Sequence, residues 1–443
     1  MRILDWQALD EAGRRSALAR PAIARQALTL SQAQAIIESV RVQGDAALAR
    51  LTRELDGVEL DDPRVSDDEF AAARAQLAAQ DVRALELSIR NVERFHRAAM
   101  PQSLSLEVQP GVRCERLVRP IRSVGLYVPA GSAPLPSTVV MLAVPAGIAG
   151  CPERVLCTPP QRDGRANAAV LVAAQLCGLR HVFKIGGAQA IAAMAYGTAR
   201  VPKVAKIFGP GNAWVTAAKQ LVAADPHGAA LDMPAGPSEV MVIADAQAHA
   251  GFVAADLLAQ AEHDPNAQSI LVTDSRPLAQ AVSTAVQRQR QALSRSSILQ
   301  HSLASSRILL VPDLLTAVAI CESYAPEHLI LQTREPRALL DGVHSAGSVF
   351  LGPWSPETTG DYCAGPNHVL PTYGYARAYS GLSAADFTRG MSVQELSGAG
   401  LAELGPSASR LARLEGLDAH AAAVDVRLAV LQAAPQPAPG AAP

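Results

Sequence analysis

The sequence predicts an α/β fold: two Rossmann-like α/β units with mainly parallel sheets, plus a small helical region in the N- and C-terminal tails. Three observations carry this. Apolar strand-length runs alternate with helix-length runs from about residue 127 to Gly352, the βαβ pattern of a parallel sheet. The alternation comes as two series of similar size, the second starting at "EVMVIAD" (239–245). With 443 residues, the chain is long enough for two or more cores.

The first hundred residues read as helical scaffold. In "SQAQAIIESV" from Ser31 and "SDDEFAAARAQLAAQ" from Ser66, a Gln or Glu stands three residues after a Ser, so a capping box predicts a helix start at each. The β-branched and apolar residues of "LSLEVQPGVRCERLVRPIRSVGLYVP" (104–129) predict a hairpin leading into a buried strand. The first series then runs helix "STVVMLAVPAGIAG", strand "RVLCTP", a helix near 167–177, strand "HVFKIGG", helix "AQAIAAMAYG", strand "VAKIFG" and a helix from Asn212. In the second, strands "EVMVIAD", "QSILVT", "RILLVP" and "HLILQT" are separated by helices "AGFVAADLLAQAEH", "PLAQAVSTAVQRQRQAL" and "LLTAVAICESYA", and strand "SVFLG" closes it. Beyond Gly352 a Gly/Pro-rich polar stretch predicts a long loop, and loops of that length usually carry function. "SASRLARLEGLDAHAAAVDVRLAVLQ" reads as helix, and residues 435–443 have the Ala/Pro composition of a disordered tail.

The 39 Lys and Arg nearly balance 41 Asp and Glu, a net of -2, so no charge excess draws the chain to nucleic acid or anionic lipid. A small-molecule partner is expected. "MRILDWQALDEAGRRSALAR" lacks the apolar core of a signal peptide, and no stretch stays apolar long enough to span a bilayer, which predicts a cytoplasmic location. The six cysteines include no C-x-x-C pair, so they read as buried free thiols.

No G-x-G-x-x-G follows a strand. Three turns could cradle a phosphate instead: "YVPAGSAPLPS" (127–137), "IGGAQAIAA" (185–193) and "FGPGNAWVTAAK" (208–219), where Gly209 and Gly211 open a helix. An ordinary glycine turn explains each equally well. Gln260 and His263 stand three apart near a helix end, so both can face one ion, although such pairs are common by chance. Asp361 and His368 lie in the polar loop, and His420 lies on the terminal helix shortly after Glu415. Each alone reads as a surface group or cap. Together they suit a borderline divalent ion such as zinc and exclude an all-thiolate site. In "YAPEHLILQT" (324–333) Glu327 and His328 stand side by side before an apolar run, and pattern alone favours a polar pair at a strand edge.

"YVPAGSAPLPSTVVMLAVPAGIAGC", "GGAQAIAAMAYGT", "KIFGPGN", "DMPAGPSEV", "AQAEHDP", "YAPEHL", "GDYCAGPNHVLPTYGYAR", "SGLSAADF" and "EGLDAH" follow one another in the order found in histidinol dehydrogenases. Over roughly residues 20 to 430 the chain resembles that family. The resemblance implies oxidation of L-histidinol through L-histidinal to L-histidine with two NAD and one Zn2+ per subunit, the last steps of histidine biosynthesis. It implies zinc ligands Gln260, His263, Asp361 and His420, and substrate contacts Ser238, Gln260, His263, His328, Asp361, Glu415 and His420, with His368 a further candidate. NAD contacts fall on Tyr127, Gln189 and Asn212, one in each glycine turn. It also implies a homodimer with shared active sites. On this reading residues 1–24 are an N-terminal tail segment. Residues 25–126 and 238–381 form the larger α/β domain with the zinc and substrate site, 127–237 the Rossmann-like NAD-binding domain, and 382–434 a C-terminal tail reaching the partner subunit. Two departures stand out: Ala130 where many relatives have a second Gly, and Trp214 where Phe or Tyr is usual.

The register of these motifs reverses the reading of the Glu-His pair. Oxidising an alcohol needs a base for the hydroxyl proton as hydride leaves, and His328 suits that task. An aldehyde has no second hydroxyl, so a carboxylate must activate water before the next hydride leaves, and Glu327 is assigned that role. A Cys thiolate is another way to attack the carbonyl, but the flanks of Cys151 and Cys157 offer no base or cation, so both read as packing residues. Two other functions compete. One is a related NAD-dependent alcohol dehydrogenase acting on another polyol, such as a sulfonated diol, which needs a cationic clamp in place of Glu415. The other is a zinc hydrolase in which Glu327 activates metal-bound water.

Overall fold

The structure, a computed structural model, describes residues 1–21, 26–130, 133–234 and 236–433. The segment 435–443 lies outside the described residues, as do residues 131 and 132 of the first glycine turn. In chain order the strands are β1 (Arg2–Asp5), β2 (Leu104–Gln109), β3 (Val112–Pro120), β4 (Ser123–Tyr127), β5 (Glu153–Thr158), β6 (His181–Lys184) and β7 (Lys206–Phe208). They continue as β8 (Ala230–Leu231), β9 (Glu239–Ala244), β10 (Gln268–Thr273), β11 (Arg307–Leu310), β12 (His328–Gln332), β13 (Ser348–Leu351) and β14 (Thr388–Leu396). The described residues form two compact units, residues 1–99 with 121–387, and residues 100–120 with 388–433.

The first unit contains two parallel sheets with the same winding. One has the order β6-β5-β4-β7-β8, the other β1-β11-β10-β9-β12-β13. In each, the chain starts mid-sheet (β4, β9), steps outward through two strands, then crosses back to the other side of its first strand. The strand order therefore reverses between β4 and β7 and between β9 and β12, and such reversals open a crevice outside the carboxyl ends of the strands, where the three glycine turns of the five-stranded sheet lie. The strands are apolar throughout because helices cover both faces. In the six-stranded sheet, Val240, Val242, Leu271 and Ile330 pack against helices Ala250–Ala261 and Arg276–Gln289. The alternate residues Met241, Ile243, Ile270 and Leu329 face helix Leu314–Tyr324.

The structure divides the chain differently from the sequence-based boundaries. Residues 2–5, expected in an N-terminal tail segment, form β1 in register with β11, covering an edge that would otherwise leave its backbone groups unpaired. The helices after residue 25 surround the five-stranded sheet: Gln26–Gln43 packs on Gly187–Tyr196 and Ala213–Ala224, Asp67–Gln76 on Ala168–Leu176, and Ala79–Ala98 on Pro136–Ala149. Ser66 is the expected cap, its Oγ accepting from the Glu69 N–H at 3.2 Å. Ser31 is not a cap. It lies inside helix Gln26–Gln43, because the preceding "QALTL" also favours helix and carries the start upstream. The polar stretch after Gly352 is not wholly loop, since it contains helix Glu357–Tyr362.

In the second unit, β14 pairs antiparallel with β3, and β3 with β2. Strand β14 lies in the segment 382–434 that the sequence marked as helical tail. Its residues "TRGMSVQEL" are mostly exposed and carry little apolar signal, so period-2 patterning could not reveal it. The terminal helix is two helices, Gly398–Leu414 and Asp418–Ala433, broken at Gly416 with φ 73°. They pack together through Gly405 against Val424 and Leu428, and the Ser409 hydroxyl donates to Asp425 at 2.6 Å.

Candidate active site

Glu327 and His328 stand where the chain enters β12, and Glu239 where it enters the adjacent β9. The pair therefore sits at the amino edge of the six-stranded sheet, at its reversal point. His328 is 4% exposed and Glu327 5%, so both act in a low-dielectric setting. The Glu239 backbone holds them: its N–H donates to Glu327 Oε2 at 2.8 Å and its carbonyl oxygen lies 3.1 Å from His328 Nδ1. A carbonyl oxygen only accepts, so Nδ1 carries the hydrogen and the neutral ring keeps its lone pair on Nε2. Among the described residues Nε2 has no hydrogen-bond partner, and it lies 3.6 Å from Asp361 Oδ1. His328 lines a cavity of about 310 Å3 together with Asp361, His368, Asn367 and Phe350. Glu327 is not among the lining residues: its Oε2 lies 3.5 Å from Nδ1, on the other side of the ring.

The Glu239 side chain is itself anchored. It pairs with Arg20, whose Nη2 donates to Oε2 at 2.9 Å and whose guanidinium stacks 3.9 Å from the Tyr324 ring centroid. The N-terminal segment thus braces the strand entrance that holds Glu327 and His328. Sequence reading missed both Arg20 and Glu239, although Glu239 lies within the motif "DMPAGPSEV".

Three carboxylates surround His328. Burial alone disfavours the imidazolium, but Glu357 3.7 Å from Nδ1, then Glu327 and Asp361, outweigh it and raise the pKa well above the ordinary value. Burial pushes Glu327 up to about 8 against the pull of His328. Asp361 is buried too, yet its interaction with His328 and the charges of His368 and His263 hold it low. Burial lowers the His368 pKa below its ordinary value. Its Nδ1 donates to the Asp361 carbonyl at 2.8 Å, and its Nε2 lies 3.2 Å from the Thr138 hydroxyl.

Glu357 is the site residue that sequence reading passed over. It stands four residues before Asp361 on helix Glu357–Tyr362, so both carboxylates project from one face. That i, i+4 spacing in "ETTGD" was the available signal. Glu357 is 2% exposed and Gln260, at the last turn of helix Ala250–Ala261, is 0% exposed. The Gln260 amide nitrogen donates to Glu357 Oε1 at 2.7 Å and Oε2 at 3.2 Å, since an oxygen in its place would face both carboxyl oxygens of Glu357. His263 follows that helix and is solvent-exposed, and Ser238 immediately precedes Glu239. Gln260, His263, His328, Asp361 and His368 thus belong to one neighbourhood of the first unit. Glu415 and His420 belong to the second unit, where both are exposed on either side of the Gly416 break.

The three glycine turns lie at the carboxyl edge of the five-stranded sheet. Tyr127 ends β4 and is 3% exposed, its hydroxyl accepting from the Gly187 N–H at 3.0 Å. Gln189 is 1% exposed, its Nε2 donating to Asp56 Oδ2 at 3.4 Å and its Oε1 unpartnered. Asn212 caps helix Ala213–Ala224, its Oδ1 accepting from the Trp214 and Val215 N–H groups, both at 3.1 Å. Gly209 has φ 120° and is clamped by Lys219 Nζ on its carbonyl and Asp232 Oδ2 on its N–H, each at 2.8 Å. A Cβ at Gly209 would collide with the Tyr127 carbonyl oxygen, so β4 and β7 close on each other only with glycine there. Gly209→Ala is expected to lower stability by about 1–3 kcal/mol, read as a lower midpoint in urea unfolding. The contact between His368 and Thr138, in the first turn of helix Pro136–Ala149, joins this edge to the His328 cavity.

The family model for histidinol dehydrogenase matches residues 19–428. The chain belongs to the histidinol dehydrogenase family. It is 56% identical over 430 residues to a protein of that name from Xanthomonas euvesicatoria pv. vesicatoria, covering 97% of this chain and 100% of the relative. A namesake from Vibrio parahaemolyticus is 54% identical over 428 residues, covering 97% and 98%. A crystal structure of histidinol dehydrogenase from Elizabethkingia anophelis superposes with a TM-score of 0.91 at 42% identity, covering 98% of this chain and 99% of that one.

As a member of the histidinol dehydrogenase family the chain is an oxidoreductase, and its thiols do not contradict that. Burial pushes Cys151 up to about 11 and Cys157 higher still, so neither supplies a thiolate at neutral pH. No helix among the described residues is long and apolar enough to cross a membrane.

Proposed function

We propose that the chain oxidises L-histidinol to L-histidine through L-histidinal, reducing two NAD, with zinc bound at the substrate site. The observation that carries this reading is His328 Nε2: a buried ring nitrogen without a hydrogen-bond partner among the described residues, beside a cavity, in a member of this family. In the first half-reaction Nε2 takes the hydroxyl proton while hydride leaves the carbinol carbon for the nicotinamide, giving the aldehyde and NADH. Water then adds to the aldehyde, losing a proton to a carboxylate. Asp361 faces His328 Nε2 and Glu357 is bonded to Gln260, which leaves Glu327 for the water. The gem-diol gives its second hydride to a fresh NAD while His328 again takes the proton. Overall, the alcohol, one water and two NAD+ become the carboxylate, two NADH and three protons.

The donor set of Gln260 amide oxygen, His263 imidazole and Asp361 carboxylate fits a borderline divalent ion. With its nitrogen committed to Glu357, Gln260 has its oxygen turned away and available. His420 is the fourth ligand of this reading. A bound zinc would hold the imidazole and amine of the substrate and orient its carbinol carbon. His328, Glu357 and Asp361 also bring three donor atoms within 4.8 Å of one another. That second set would take the base out of use, so the first is preferred. Tyr127, Gln189 and Asn212 would hold the NAD, and His368 links their sheet edge to the His328 cavity.

The cavity-lining residues include no Lys or Arg, which disfavours a sulfonated polyol as substrate. Two NADH formed per histidine, followed by absorbance, is the expected result with histidinol. No NADH from histidinol would end this reading in favour of another polyol or a hydrolase. Chelation of zinc is expected to abolish turnover and leave the far-UV circular dichroism intact, because Gln260, His263 and Asp361 come from helix ends and a short helix rather than core strands. Loss of the helical signal together with activity would make the metal structural.

The second unit carries apolar side chains in the open, among them Leu411 at 61%, Leu414 at 66% and Val430 at 69% exposure. Exposed apolar surface of this kind marks an interface. The chain is therefore read as a homodimer in which Glu415 and His420 complete the partner's site.

A further inference from the structure

We propose that Glu357 is a positioning residue that fixes the Gln260 amide with its oxygen presented as a metal ligand. The proposal rests on the zinc reading above. Gln260 is fully buried, so its amide cannot satisfy both ends in water, and its orientation is decided by its neighbours. A glutamine turned the wrong way presents N–H groups, which cannot bind a cation. At Gln260 the choice is made by geometry: the two Glu357 carboxyl oxygens lie 2.7 and 3.2 Å from one end of the amide and take its nitrogen in a forked bond, with His328 Nδ1 3.2 Å from the same end. The oxygen is then forced to the opposite end.

Glu357 has no Lys or Arg partner among its described contacts, and it is 2% exposed. Its ionic neighbour is the His328 ring at 3.7 Å, wider than a hydrogen bond, and a buried carboxylate so weakly compensated costs stability. Its place is explained by the helix it begins. Glu357–Tyr362 presents Glu357 to Gln260 and, one turn on, Asp361 to the other side of His328. One short helix therefore supplies a carboxylate ligand and the group that orients an amide ligand. Groups that orient metal ligands in this way are worth about 10–100-fold in metal affinity.

The test is zinc affinity, measured by chelator competition on the purified dimer, for wild type, Glu357→Gln, Gln260→Ala and the double variant. The amide of Glu357→Gln donates as readily as it accepts, so it no longer dictates which end of Gln260 faces it. The expected result is zinc binding weaker by about 10–100-fold in Glu357→Gln, with an unfolding midpoint of the metal-free protein equal to or above wild type. In the double variant, affinity should match Gln260→Ala alone, because Glu357 acts through Gln260. Wild-type zinc affinity in Glu357→Gln overturns the proposal. Additive losses in the double variant also overturn it, by making Glu357 a direct ligand. Unchanged zinc binding in Gln260→Ala is a different failure, that of the ligand set itself. Should Glu357→Gln not accumulate, Glu357→Leu, which removes the acceptor at similar volume, is measured the same way.

Discussion

Glu327→Gln is expected to slow the oxidation of histidinal by about 10²–10⁴-fold while the oxidation of histidinol stays within about tenfold of wild type. Only the second half-reaction consumes water, and an amide cannot take its proton. The pH dependence gives an independent reading. Burial lifts Glu327 to about 8, and a general base works only when ionised, so histidinal oxidation should rise with pH through about 8 and level above it. The variant should lack that limb. His328→Asn should depress both half-reactions, because a proton leaves an oxygen at each hydride transfer. The measurement uses histidinol and histidinal as separate substrates between about pH 6 and 10. Equal loss of both half-reactions in Glu327→Gln would assign Glu327 to the Nδ1 side of His328, acting through the ring instead of on water. The geometry makes this a sharp alternative, since Glu327 does not line the cavity.

What the sequence revealed follows what each signal can carry. The parallel sheets were legible because βαβ strands buried on both faces read as continuous apolar runs, as in "EVMVIA" and "HLILQ", where every residue is buried. Glu327 and His328 were legible because they are adjacent and sit in a long motif. Strand β14 was hidden because an exposed strand needs no apolar alternation, and β1 because four residues give no period to count. The neighbours that tune the site come from far away in sequence: Arg20 reaches Glu239 across 219 positions, and Glu239 takes hold of Glu327 across 88. Such pairings are set by strand order, which one sequence does not spell out. Glu357 differs, since its spacing to Asp361 was in plain view. It went unread because the segment was taken as loop, and the i, i+4 rule has meaning only on a helix.

Mixing inactive His263→Ala and His420→Ala proteins is expected to restore about a quarter of wild-type activity, from near zero in either parent. His263 lies in the first unit beside Gln260 and Asp361, whereas His420 is exposed in the first turn of helix Asp418–Ala433 in the second. If that helix completes the partner's site, a mixed two-fold dimer holds one site with both defects and one with neither. Random exchange makes about half the dimers mixed, and half the sites in those are intact, hence about a quarter. The large recovery is what separates the two arrangements, because a site contained in one chain would carry one defect in every copy and recover nothing. Exchange is established independently by capturing mixed dimers from differently tagged chains. Captured mixed dimers without activity would rule out sharing. The apolar residues exposed on the two terminal helices supply a physical reason to expect the positive result: Leu411, Leu414 and Val430 lose contact with water only if another chain covers them. Leu414→Glu should then weaken the dimer and the restored activity together, since a buried charge without a partner opposes the interface that delivers His420.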